Sequence, residues 1–143
     1  MILNAVFDTN VLISGILWKG IPFQLLRWVE ESYLRIYTSL QILDEVYRVL
    51  HYPKFQEYID NQKSTPRTLF AKIASLCTII DVDRVVKGIC SDADDEKFLS
   101  CALTANVGVL VSGDNHLLDL KKYRSIRILT AREFYEENVR IIT

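Results

Sequence analysis

The 143-residue chain carries seventeen basic and eighteen acidic residues, and a net charge of -1 excludes the global positive field that marks many nucleic-acid binders. Half of the residues are hydrophobic, enough for a packed core, so residues 1–143 are expected to form a single domain. Cys77, Cys90 and Cys101 are odd in number and lack C-x-x-C spacing, which disfavours a disulfide framework or a zinc site and points to a reducing setting.

The amino terminus has no basic region followed by an apolar stretch and a cleavage site, and no apolar run approaches the roughly 18 residues of a membrane span. A cytoplasmic protein without membrane association is expected. The first element is the apolar stretch Ile2 to Phe7, which reads as a parallel strand buried on both faces and runs into Asp8, Thr9 and Asn10. Asp8 therefore stands where open α/β sheets bind ligands, beyond the carboxyl end of a strand. It also stands where an aspartate caps the helix suggested by Val11, Leu12 and Ile13, and the stretch alone leaves both readings open.

A helix over Val11 to Trp18 is followed by a second, opened by Ile21-Pro22 and running to Glu31 with Phe23, Leu26, Trp28 and Val29 at helical spacing. Trp18, Phe23 and Trp28 read as core or dimer contacts. A strand at Leu34 to Tyr37 leads to Thr38 or Ser39 as the cap of a helix whose apolar stripe is Leu40, Leu43, Val46, Tyr47 and Leu50. Glu45 lies at one edge of that arc beside Ile42 and Val49, and Asp44 at the other, and the wheel leaves either free to face a cleft. Lys54 to Ile59 suggests a short helix, Asn61 to Pro66 a polar connector, Leu69 to Cys77 a helix, and Thr78 to Val82 a third strand.

Asp92, Asp94, Asp95 and Glu96 precede a helix over Phe98 to Asn106. Acids in a first turn suit the helix dipole, which explains three of the four as caps. Asp95 is set apart because it precedes Phe98, Leu99 and Ala102 by three, four and seven residues, on the stripe expected to face the core. A carboxylate there is costly unless it is paired or meets a metal. Gly108 to Asp114 repeats the pattern of a buried strand ending in an acid, Asn115 to Leu120 forms a helical turn, Ile126 to Leu129 a last strand, and Thr130 caps a final helix. Alternating strands and helices predict a three-layer α/β domain with a mostly parallel sheet.

Asp8, Glu45, Asp95 and Asp114 are thus candidates for one cluster. Clustered carboxylates repel unless a cation neutralises them, and all-oxygen sites suit magnesium or manganese. Two such ions can activate water and stabilise the leaving oxygen of a phosphodiester.

The strand ending in Asp8-Thr9-Asn10, the helix containing Glu45, the run Asp92 to Ala102 and Val111-Ser112-Gly113-Asp114 together resemble the PIN domain over almost the whole chain. The nearest resemblance is to stand-alone bacterial VapC-like toxins of toxin–antitoxin pairs. It implies a three-layer α/β/α PIN-like fold with a five-stranded parallel sheet in the order 3-2-1-4-5. It implies a catalytic and metal-binding quartet of Asp8, Glu45, Asp95 and Asp114, supported by Thr9, Asn10 and Ser112, with Ser112 where relatives more often have threonine. The implied activity is Mg2+- or Mn2+-dependent cleavage of single-stranded RNA; the implied partners are an antitoxin protein and a second copy in a homodimer.

A haloacid-dehalogenase-like phosphatase is disfavoured because its motif needs a second aspartate where this chain has Asn10. A catalytically inactive PIN scaffold or RNA-binding module is the rival from another class, and the presence of all four acids favours the enzyme. DNA flap nucleases of the same fold carry insertions for which this chain has no room. Arg84, Lys87 and Lys97 are candidate RNA-phosphate contacts near the acids, as are Lys121, Lys122, Arg124 and Arg127 around Tyr123, although scattered cations usually form a solvated face. His51 and His116 read as surface residues rather than bases.

Overall fold

The run after Met1 becomes the middle of a sheet because, apart from the exposed Asn4, its strand residues are apolar. In the computed structural model, which describes residues 1–142, β1 (Leu3–Phe7) leads to α1 (Thr9–Leu17), α2 (Ile21–Glu30), β2 (Leu34–Thr38) and α3 (Leu40–Leu50). A 3-10 turn at Pro53–Phe55 opens α4 (Gln56–Asn61), followed by α5 (Pro66–Leu76) and β3 (Cys77–Ile79). After a long loop come α6 (Glu96–Ala105), β4 (Val109–Val111), α7 (Asn115–Leu120), β5 (Lys122–Tyr123), β6 (Ile126–Leu129) and α8 (Ala131–Ile142).

The sheet order is β3-β2-β1-β4-β6-β5. Its five parallel strands stand in the expected order, and β5 adds a sixth, antiparallel to β6. That edge hairpin escaped the sequence reading because two residues carry no periodicity; Arg124, with φ of 53°, turns the chain from Tyr123 back to Ile126. β3 starts one residue earlier than expected and ends sooner, because its partner β2 ends at Thr38. Among the described residues no helix is long and apolar enough to cross a membrane.

Ala5, Val6 and Phe7 are fully buried, so both faces of β1 are covered. Phe7 meets Phe134 of α8 edge-on at 6.4 Å, and Trp28 of α2 stacks on Tyr135 at 5.2 Å. Trp28 is therefore a core residue. Phe23 is half-buried, and Trp18, at 40 % exposure, leans on Phe55 and Tyr58.

α1 and α2 approach closely at Gly15, where an added Cβ would lie 2.6 Å from Leu26 Cδ1, 2.9 Å from Leu26 Cγ and 3.1 Å from the Pro22 carbonyl oxygen. Leu26 is buried, and the Pro22 contact is with backbone, which cannot rotate away. Gly15→Ala is therefore expected to destabilise the protein by about 1–2 kcal/mol, overpacking outweighing the better helix propensity of alanine. Thermal unfolding reads this directly; a melting temperature equal to or above that of the wild type would contradict the close approach.

β1 is paired to β2 on one side and to β4 on the other, so the chain winds outward in both directions from the β1–β4 seam. Such a reversal leaves a crevice beyond the carboxyl ends of the two strands, since the connections leave in opposite directions. The seam continues one step past the strands. The Asp8 amide donates to the Val111 carbonyl at 3.0 Å and the Ser112 amide to the Leu129 carbonyl at 2.9 Å.

Candidate active site

Asp8 leaves β1 at the mouth of this crevice and does two things at once. Its Oδ1 accepts from the Val11 amide at 2.9 Å, capping α1, while Oδ2 accepts from Ser112 Oγ at 2.6 Å and the Gly113 amide at 3.1 Å. The capping reading is realised on Oδ1, while Oδ2 is held at the mouth of the crevice by Ser112 and Gly113. Asp8 is almost fully buried, and that desolvation raises its pKa against the opposing effect of its hydrogen bonds. Ser112 Oγ also accepts from the Asp114 amide at 3.0 Å, so one hydroxyl ties together the acids that follow β1 and β4. Asp114 caps α7 by accepting from the His116 amide at 2.8 Å.

Glu45 arrives from α3. The residues buried along this helix are Ile42, Leu43, Val46 and Leu50, whereas Leu40 and Tyr47 of the expected stripe are exposed. The buried arc is thereby rotated toward Ile42, which draws Glu45 inward from its edge and leaves Asp44 outside, paired with Arg48 at 3.5 Å. Glu45 Oε1 accepts a short hydrogen bond from Thr9 Oγ1, and Oε2 is 2.9 Å from Lys97 Nζ.

The third arm comes from the segment before α6. Asp95 lies in a 3-10 turn, Ala93–Asp95, and α6 begins only at Glu96. The expected helical stripe does not set Asp95 apart, because every residue from Glu96 to Ala102 is buried. The turn places it instead. Asp95 is half-buried, and its pKa is raised to about 6 by burial first and then by Asp114 and Asp92, with Lys97 opposing. Asp92 Oδ1 accepts from the Asp94 amide at 2.9 Å. Asp94 pairs with Lys97 at 2.9 Å, and the hydrogen bond from Lys97 holds its carboxyl below the usual range.

The loop between β3 and α6 is fixed by three side chains at four-residue spacing on α6. Glu96 Oε2 accepts from the Ile89 and Cys90 amides at 2.6 and 3.0 Å, Ser100 Oγ from the Val86 amide at 2.9 Å, and Thr104 Oγ1 from the Asp83 and Arg84 amides at 3.3 and 3.1 Å. Glu96, read in the sequence as one more helix-start acid, is a buried clamp on this loop. The spacing is visible in the sequence, but its meaning depends on knowing which face of α6 the loop crosses.

Asp8, Glu45, Asp95 and Asp114 line one hollow of about 230 Å3, with Thr9, Asn10, Asp92 and Asp94 also in its wall. The quartet is thus brought together. Asn10 is exposed at the rim, whereas Thr9 and Ser112 are buried behind the acids they bond. Arg84 and Lys87 are exposed and lie outside this lining. Lys97 corrects the expectation of a phosphate contact: its side chain is 2 % exposed and its ammonium is taken up by Glu45 and Asp94. Of the other cations, Lys121, Lys122 and Arg124 are exposed, and Arg127 is bound by Glu137 at 2.5 Å. His51 and His116 are exposed.

The donor set is all oxygen, which suits a hard divalent cation rather than zinc. Among the described residues no three His, Cys, Asp or Glu side chains are already drawn together as a metal cage. The fit is one of charge and chemistry: burial first, and then repulsion from neighbouring carboxylates, holds Asp8 and Asp95 above their usual range, and a divalent cation would offset both.

A mostly parallel sheet with an acidic crevice beyond its two central strands defines an α/β domain with an acidic cleft. The chain belongs to the PIN domain family, whose model matches residues 4–116 and whose members are generally nucleases that use divalent metals. No curated protein matches the sequence. Among solved structures it is similar to a chain of VapBC2 from Rickettsia felis bound to a DNA fragment from their promoter, with a TM-score of 0.61 and 14 % identity. That likeness covers 90 % of this chain and 98 % of the other, and at such identity it is a likeness of fold.

Proposed function

We propose that residues 1–143 form a single cytoplasmic nuclease domain that cleaves single-stranded RNA with Mg2+ or Mn2+, as the toxin of a toxin–antitoxin pair. The observation that carries this reading is the convergence of Asp8, Glu45, Asp95 and Asp114 on one hollow beyond the carboxyl ends of β1 and β4. These acids would hold the cation, with Ser112 and Thr9 orienting Asp8 and Glu45. When bound, the ion would supply electrostatic stabilisation of the charge that develops on the phosphodiester. Around it, the buried Asp8 and the raised Asp95 supply carboxylates whose charge is poorly solvated. Arg84 and Lys87, exposed outside the hollow, are candidate phosphate contacts. An antitoxin protein is the proposed regulatory partner, and a homodimer the proposed assembly, with the exposed Trp18 as its candidate aromatic contact.

Purified protein is expected to cut single-stranded RNA in Mg2+ or Mn2+ and to stop when excess chelator is added, as followed by gel electrophoresis of a labelled transcript. Undiminished cleavage in chelator would contradict the metal-dependent reading. RNA binding without cleavage under any divalent ion would identify the inactive scaffold instead.

A further inference from the structure

Lys97 is oddly placed for a lysine. It sits in the first turn of α6, where the helix dipole disfavours a cation, and its side chain is 2 % exposed. An ammonium so buried is costly unless every donor is matched. All three are matched: Nζ lies 2.9 Å from Glu45 Oε2, 2.9 Å from Asp94 Oδ2 and 2.7 Å from the Asp94 carbonyl oxygen. Thr9 takes the other oxygen of Glu45, so both Glu45 oxygens are held by the protein's own donors.

The acidic hollow is therefore divided. On one side Glu45 and Asp94 share a positive charge supplied by the chain; on the other, Asp8, Asp95 and Asp114 form no ion pair among the described residues, although Lys54 also lines the hollow. We infer that Lys97 is a positioning residue that takes the place of a second divalent ion, fixing Glu45 at the border of a site that binds one ion on the Asp8, Asp95 and Asp114 side. This rests on the metal-dependent reading above and narrows it from the several ions that four carboxylates could hold to one. It also explains why Lys97 is not available to substrate: a phosphate could gain its ammonium only by displacing Glu45 or Asp94.

The test counts Mn2+ bound to the full chain by equilibrium dialysis with electron paramagnetic resonance, and follows melting with and without Mn2+. Wild-type protein is expected to bind one Mn2+. Lys97→Met is expected to melt about 5–10 °C lower without metal, because two carboxylates lose their partner, and to bind a second Mn2+ that restores most of the loss. In Lys97→Met with Glu45→Gln the second ion should disappear and the loss in melting temperature should be smaller than the sum of the single changes.

Two Mn2+ on the wild type would overturn the inference, and so would a Lys97→Met protein that binds one ion and gains no more from Mn2+ than the wild type does. Additive effects in the double variant would overturn it as well. If Lys97→Met does not fold, the wild-type count decides alone. No Mn2+ on the wild type would overturn the metal-dependent reading and the one-ion site with it, whereas the metal-free coupling between Lys97 and Glu45 still reports whether the lysine holds the glutamate.

Discussion

Asp8→Asn is expected to reduce RNA cleavage by roughly 100-fold or more while leaving the fold in place. The substitution conserves volume and keeps an oxygen for the cap on the Val11 amide, a position at which asparagine serves as well as aspartate. What changes is the other oxygen. An amide there cannot accept from the Gly113 amide, which costs about 1–2 kcal/mol, but it also removes a desolvated charge from a nearly closed site, which offsets much of that cost. Melting within about 4 °C of the wild type, together with the loss of cleavage and of Mn2+ affinity, is the expected result. Cleavage near the wild-type rate would show that the proposed chemistry does not pass through Asp8.

The positions of Asp8 and Asp114 were legible in the sequence because a buried strand ending in an acid is a local pattern, and parallel pairing through Phe7 and Val111 carries the two acids to the same edge. Glu45 was only half legible. Leu40 and Tyr47 are apolar yet exposed, so a wheel drawn from residue type alone misplaced the centre of the buried arc by part of a turn. The place of Lys97 is not legible for a related reason: residue type alone puts a lysine in solvent, and only the three-dimensional arrangement brings the carboxylates of Glu45 and Asp94 around it. The loop over residues 80–92 has no periodic signal at all. Its order comes from backbone amides bonded to side chains of α6, interactions that sequence periodicity does not report.

The three aspartates before α6 give the sharpest separation of roles, because each carboxylate is engaged differently. Asp92 accepts from the Asp94 amide and acts as a cap for the 3-10 turn. Asp94 is spent on Lys97, with its side chain 58 % exposed. Asp95 stands at the start of α6 but makes no side-chain capping bond, and it lines the hollow with Asp8 and Asp114. Asp95→Asn is therefore expected to lower cleavage by roughly 100-fold or more, whereas Asp92→Asn and Asp94→Asn should each cost at most about 1 kcal/mol of stability and little activity.

The pH dependence of stability provides an independent reading in chelator. The pKa of Asp95 in the folded protein, about 6, lies above its ordinary value of 3.8, so the folded state holds this proton more tightly than the unfolded state does. Its contribution to stability is fully present below about pH 4 and is lost as the pH rises through 6. Asp95→Asn should therefore flatten the decline of melting temperature across that window and melt at or above the wild type at pH 7. Asp94→Asn should do the opposite, losing an interaction that is present above the ordinary carboxylate range and fades as the pH falls. Equal losses of cleavage in all three variants, or a loss confined to Asp94, would mean that the carboxylate facing the cation had been assigned to the wrong residue.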